Sequence, residues 1–278
     1  MFGLSLFPYF LIFIFGLAMG SFLNCIIYRL QKEEEFLVKR SYCPHCKKTL
    51  GWQDLIPVLS FVFLKGKCRY CQKPISWQYP LVELATGILF VFIAWNQLII
   101  NPIGIPSGSY GASNFLNFFY LLIVTSFLII IFVSDLRYYI IPDRVIYPAI
   151  IIALIYSIFS IFILHSSFLA LINQLLSAAL ASAFFLAIVL ISRGRWMGWG
   201  DPKLAFYMGL LLGFPNILVA LFLAFFIGAI IGIGLILNSR KTLKSEIPFG
   251  PFLATGTLFS LFFGETLLSL YFRLFILV

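Results

Sequence analysis

Charge is scarce in this sequence. Asp, Glu, Lys and Arg make up 10% of its 278 residues, against about 25% in soluble domains. Apolar residues reach 62%, and the mean hydropathy is +1.05. These values exclude a water-soluble globular protein and point to a polytopic membrane protein. Sustained period-2 alternation is missing as well, which excludes a membrane barrel and leaves an all-α fold. Met1–Leu6 carries no basic segment, so no typical removable signal peptide is expected. No internal repeat and no low-complexity linker stand out. Cysteine is rare: there are five, and Cys43, Cys46, Cys68 and Cys71 form two C-x-x-C pairs in one basic loop. That pattern reads as a metal site in a reducing compartment rather than a disulfide framework.

What is abundant is long apolar runs. They predict about eight transmembrane helices, over residues 7–28, 79–100, 115–134, 145–164, 169–191, a short sixth at 202–214, 217–237, and an eighth from about residue 249. Residues 101–114 and 135–144 are expected as connections. The predicted organisation is a first transmembrane helix (1–29), a small cytoplasmic zinc-ribbon-like domain (30–78) and a seven-helix transmembrane domain (79–278). Of nineteen Lys and Arg, nine lie in residues 30–78, two in 135–144, three in 192–203 and three in 238–248. Arg29 borders the first group and is expected to snorkel to the interface. The connections on the opposite face carry no Lys or Arg, so the positive-inside rule places both termini outside the cytoplasm. This loop-by-loop clustering explains the net charge of +9 without a nucleic-acid partner.

Acids beside apolar spans are candidate functional residues, because a carboxylate at mid-bilayer costs roughly 2.5–3.5 kcal/mol or more. Gly198-Trp199-Gly200-Asp201-Pro202-Lys203 places one at the start of the sixth span. Gly198 and Gly200 remove side-chain bulk there, and Pro202 suits a first helical turn. Asp135 ends the third span at the same face. Two carboxyls that meet in a poorly solvated site share a proton, as in aspartic proteases. Asp143 competes with Asp135, with a helix N-cap as its plainer role. Lys203 could favour an ionised Asp201, hold a substrate carbonyl or simply snorkel. Glu83 and Asn24 are polar groups inside spans, with an ion pair or dipole contact and an interhelical hydrogen bond as their plainer roles. The G-x-G-D pattern alone is weak.

Each C-x-x-C turn presents two thiolates, so Cys43, Cys46, Cys68 and Cys71 predict a closed four-sulfur structural zinc site. Nearby Lys47, Lys48, Lys67 and Arg69 can offset the excess negative charge. Glu246-Ile247-Pro248-Phe249-Gly250-Pro251-Phe252 disrupts helix at the start of the eighth span, either to receive a substrate strand or to begin a helix. A proton- or metal-coupled transporter is the alternative to a protease for acids so placed.

Taken in order, Gly20-Ser21-Phe22-Leu23-Asn24, the two C-x-x-C pairs flanking Ile56-Pro57-Val58-Leu59-Ser60, Tyr79-Pro80-Leu81-Val82-Glu83, Asp135-Leu136-Arg137, Ile141-Pro142-Asp143, the Gly198–Leu204 segment and Ile247–Ala254 resemble the type IV prepilin peptidases. These are bifunctional leader peptidases and N-methyltransferases of the G-x-G-D aspartic type, and the resemblance spans nearly the whole chain. It implies that Asp135 and Asp201 are the catalytic pair; Gly198, Gly200, Lys203, Asp143 and Glu246 are the candidates for the surrounding shell. It implies prepilin and pseudopilin substrates, cleaved after a glycine that ends a basic leader, in a bacterial inner membrane. It further implies methylation of the new N-terminus from S-adenosylmethionine, with the four-cysteine loop in the part linked to methyl transfer. Gln31, where the family commonly has proline, and Pro202, after the G-x-G-D acid, are departures. Neither replaces an acid.

Overall fold

Apolar runs unbroken by Gly-Pro pairs close their own backbone hydrogen bonds, so the chain is almost wholly helical. The computed structural model describes residues 6–34, 40–100, 110–163, 167–237 and 247–275. Among the described residues, the long helices are α1 (Leu6–Gln31), α3 (Gln78–Ile100), α4 (Tyr110–Tyr138), α5 (Asp143–Ile163), α6 (Phe168–Ser192), α8 (Asn216–Leu237) and α9 (Gly250–Phe275), with short helices α2 (Leu59–Phe63) and α7 (Gly200–Leu212). Seven of them are long and apolar enough to cross a membrane. The sixth span is short, as expected. Its helix, α7, has 13 residues and is only about 20 Å long, short of the roughly 30 Å hydrocarbon core. Gly213, at a φ of 62°, stops it before Phe214-Pro215.

Two expectations change. α4 begins at Tyr110 and runs to Tyr138, so the helix outlasts the apolar run at both ends and carries Asp135 and Arg137 within it. Arg29 does not snorkel: its residue is 4% exposed, inside the last turns of α1.

The chain packs as two compact units, Met1–Ile130 and Ile131–Val278, with the boundary inside α4. In the first, α1 and α3 run antiparallel along a seam of small residues. A Cβ on Gly16 would lie 2.7 Å from the Gly87 Cα, and one on Gly20 would lie 2.6 Å from the Glu83 Cα. Ring pairs Tyr9–Trp95 and Phe15–Phe90 continue the same register outward. At the other end Asn24 donates to the Tyr79 carbonyl at 3.0 Å and accepts from Gln78 at 3.3 Å. Asn24 thus takes its plainer role as an interhelical polar clasp.

The loop between these helices contains a repeat that sequence reading misses. Cys43 N–H donates to Lys48 O, Lys47 N–H to Cys43 O, and Leu50 N–H to Ser41 O. Twenty-five residues later Cys68 N–H donates to Lys73 O, Gln72 N–H to Cys68 O, and Ile75 N–H to Gly66 O. The bridges Tyr42–Thr49 and Lys67–Pro74 obey the same offset, as do the left-handed residues Lys47 and Gln72. Only Cys43/Cys68, Cys46/Cys71, Lys48/Lys73 and Trp52/Trp77 are identical between residues 41–52 and 66–77, too few to reveal the duplication by eye.

In the second unit, α7 is the central strut. It packs against α5, α6, α8 and α9, and Leu204, Ala205, Tyr207 and Met208 are fully buried. A Cβ on Gly209 would lie 2.3 Å from the Ala178 Cα of α6. Other helices thus enclose most of the surface of α7.

Because the α1–α3 seam meets backbone rather than side chains, Gly20→Ala is expected to destabilise the protein by roughly 1–3 kcal/mol. Thermal unfolding in detergent measures this, and an unchanged midpoint would contradict the seam.

Candidate active site and metal centre

Asp135 lies in the last turn of α4, and Asp201 in the first turn of α7. Both are buried, and both line one cavity of about 390 Å³ within the second unit. The two carboxyls interact electrostatically. Gly198 and Gly200 line the same cavity. Gly200 has a packing reason to lack a side chain, since its Cβ would lie 2.8 Å from that of Ile141. Gly198 is open toward the acid: its Cβ would lie 3.8 Å from Asp201 Oδ2.

Asp135 is held by a group that sequence reading named only as part of a helix-disrupting segment. The Gly250 N–H, at the start of α9, donates to Asp135 Oδ2 at 2.9 Å across 115 residues. A Cβ on Gly250 would stand 2.5 Å from that oxygen. The Pro248-Phe249-Gly250-Pro251 segment therefore begins a helix, and its glycine lets the main chain reach the acid. Phe249 fixes the approach by packing on Phe185 and Phe225.

Asp143 and Lys203 line the cavity as an ion pair with each other. The Lys203 ammonium also sits 5.2 Å over the Tyr147 ring. Asp143 is exposed and neutralised, which separates it from the buried Asp135. Glu246 falls outside the described residues.

In the first unit Glu83 is buried and accepts the Val58 N–H at 2.7 Å, with Ser21 as a further hydrogen-bond partner. Val58 pays for this contact with a φ of 60°, unfavourable for a β-branched residue. Glu83 therefore ties the loop to α3, a role neither a dipole contact nor an ion pair describes.

The four sulfurs of Cys43, Cys46, Cys68 and Cys71 lie within 4.8 Å of one another, and Cys43 Sγ is 3.9 Å from Cys71 Sγ. Tetrahedral coordination at about 2.3 Å per thiolate puts sulfurs about 3.8 Å apart, so the set fits one metal ion. Each knuckle of the repeat supplies two ligands. Asp54 locks the knuckles together: Arg69 Nε donates to it at 2.7 Å, and Tyr70 and the Gly51 N–H donate to its other oxygen at 3.1 Å.

Burial alone would raise the Asp54 carboxyl, but hydrogen bonds from Arg69, the Gly51 N–H and Tyr70 outweigh it and hold it below the usual carboxylate range. Its stabilisation is therefore present above about pH 4 and lost as the pH falls further. Asp54→Asn is expected to unfold at a lower temperature than the native protein at neutral pH, with the gap closing toward about pH 3. Thermal scans at both pH values test the charge; a gap that persists in acid would assign Asp54 a purely steric role.

The family described as Bacterial Peptidase A24 N-terminal domain matches residues 14–97, and the Type IV leader peptidase family matches residues 122–233. The first match holds the four cysteines and Glu83; the second holds Asp135 and Asp201. The prepilin leader peptidase/N-methyltransferase of Bacillus subtilis (strain 168) is 32% identical over 268 residues, covering 95% of this chain and 98% of that protein. The protein of the same name from Aeromonas hydrophila is 31% identical over 293 residues, covering 97% and 95%. That of Legionella pneumophila is 30% identical over 290 residues, covering 95% and 94%. No solved structure matches this chain. With the relatives aligned almost end to end and both matched regions in the expected order, the chain belongs to the type IV leader peptidase family.

Proposed function

We propose that this protein removes the basic leader from type IV prepilins and pseudopilins and methylates the new N-terminus, with Asp135 and Asp201 as the peptidase dyad. The observation that carries the proposal is the shared cavity of these two buried acids, one of them fixed by a main-chain donor. The relatives' name supports the pairing of peptidase and methyltransferase activities; nothing in the fold or among the relatives supports a transporter.

In the proposed reaction, Asp135 is the base. Its Oδ2 is occupied by the Gly250 N–H, which leaves Oδ1 to take a proton from the attacking water. The water oxygen bonds to the scissile carbonyl carbon, and the carbonyl π pair moves onto oxygen. Asp201 is the acid: in protonated form it donates to that oxygen. As the tetrahedral species collapses, one hydroxyl returns its proton to Asp201 and the C=O bond reforms, the C–N bond breaks, and the leaving amine takes the proton from Asp135. Gly198 and Gly250 leave the space beside Asp201 and Asp135 free of side chains, and the Asp143–Lys203 pair forms part of the wall without competing for the dyad.

The orientation follows from the basic loops: residues 30–78, 135–144, 192–203 and 238–248 face the cytoplasm of a bacterial plasma membrane. There the dyad is reached by water without crossing the bilayer, and a basic leader stays on its own side. Residues 30–78 act as a zinc-binding cytoplasmic domain and residues 79–278 as the peptidase part. Zinc held by the four cysteines is structural, since four thiolates close its coordination sphere. S-adenosylmethionine is the methyl donor that this reading implies.

Cleavage of a model prepilin by lipid-reconstituted protein tests the proposal. Asp135→Asn and Asp201→Asn are each expected to abolish cleavage while the protein stays folded; cutting by Asp135→Asn but not by Asp143→Asn would reassign the base. Gly250→Ala is expected to lower kcat by roughly 100-fold with little change in KM, because it displaces the base rather than the substrate. In metal analysis, Cys43→Ser combined with Cys68→Ser is expected to release zinc, and unchanged metal content would refute the zinc site.

A further inference from the structure

Most exposed apolar side chains of this protein lie on helices long enough to cross a bilayer, where lipid covers them. One group does not. Leu55, Ile56, Leu59, Val62 and Phe63 are exposed on the loop between α1 and α3, Phe63 at 80%. Leu59, Val62 and Phe63 fall at i, i+3 and i+4 along α2, so they share one face. Trp52 and Trp77 are 75% and 70% exposed and flank this segment.

Three observations identify what covers this face. The first is depth. Val58, immediately before α2, is hydrogen-bonded to Glu83, five residues into the span that begins at Gln78. Five residues of helix advance about 7–8 Å, so the start of α2 is tethered below the beginning of α3. The second is the repeat. Trp77 ends the second knuckle and leads directly into α3, which enters the membrane. Trp52 holds the equivalent place after the first knuckle and leads into the 3₁₀ turn Trp52–Leu55 and α2. The Trp77 ring also packs on Phe61 of α2, with centroids 4.9 Å apart. The third is charge. Lys65, Lys67, Arg69 and Lys73 are exposed just after α2, and Asp54 is the single acid of residues 51–77.

We propose that the Trp52–Phe63 segment is a membrane-interface wedge, its apolar face set into the headgroup–acyl boundary and its following lysines on anionic headgroups. Tryptophan and lysine are the residues that favour that depth, and a short amphipathic element buries its apolar side there. The bilayer is then a further support of the metal loop, beside the four sulfurs, Asp54 and Glu83.

The test uses full-length protein with Trp52 as its single tryptophan, the other four changed to phenylalanine, in phosphatidylethanolamine–phosphatidylglycerol vesicles with brominated acyl chains. Retained metal and a single chromatographic species report the fold. Penetration of roughly 5–10 Å brings the ring to the bromines. Trp52 is therefore expected to lose at least about half its fluorescence and to resist iodide in the water phase. Phe63→Trp in a protein otherwise free of tryptophan gives a second reading from α2 itself and is expected to behave alike. Iodide quenching of both probes without bromolipid quenching would overturn the proposal. Shielding that arises only when a peptide with a basic leader and an apolar helix is added would also overturn it, and would give the face to a protein partner.

Discussion

A buried carboxyl group at the end of an apolar helix needs a donor that is not water, and for Asp135 that donor is the Gly250 main chain. Much of the second unit follows from this requirement. The donor must be a free N–H, so it comes from the first turn of a helix, where backbone donors have no partner of their own. The residue must be glycine, because a Cβ would occupy the space of the carboxylate. The chain on either side must be held still, which Phe249 does by packing between Phe185 and Phe225. α9 therefore belongs to the site although it lies beyond the residues matched by the Type IV leader peptidase family.

The first unit solves its own version of the problem. Glu83 is also an acid on a long helix, and it too takes a main-chain N–H from a segment remote in sequence. There the result is anchorage. The strained Val58 is held in place, and α2 is fixed against the helix that follows it. One physical rule, that buried acids must be satisfied, thus gives the proposed base in one unit and a tether in the other. What separates them is the surroundings: Asp135 opens on a cavity shared with a second acid, whereas Glu83 is closed in by Ser21, Val58 and the glycine seam of α1.

The long helices were legible because apolar runs of the right length have few other folds available. Asp135 and Asp201 stood out as candidates because charge is so rare that each acid beside a span demands an explanation. The four cysteines were legible from spacing alone. What could not be read depends on distance or on geometry without side chains. Gly250 meets Asp135 across 115 residues through a backbone atom, which no residue pattern encodes, although the Pro-Phe-Gly-Pro cluster marked the place as unusual. The loop repeat lives in hydrogen bonds that four identities cannot betray. Arg29 looked like a snorkelling terminal cation because sequence shows where a helix stops being apolar, not what packs over its end. α7 read as a short span from its composition and bounds; that other helices enclose it is a matter of packing.

The duplicated knuckles also fix an order of events. Neither knuckle holds a metal ion alone, since each brings two of the four sulfurs. The centre cannot close until Cys71 has been made, seven residues before α3 starts at Gln78. By the time Cys71 leaves the ribosome, the first knuckle, the 3₁₀ turn and α2 have already emerged without the cross-link that joins them. During synthesis the loop stays open until its last ligand emerges, and it closes just as the next helix is delivered to the bilayer. Closure of the four-sulfur centre and delivery of α3 thereby fall side by side in time, because the last ligand position lies seven residues ahead of that helix.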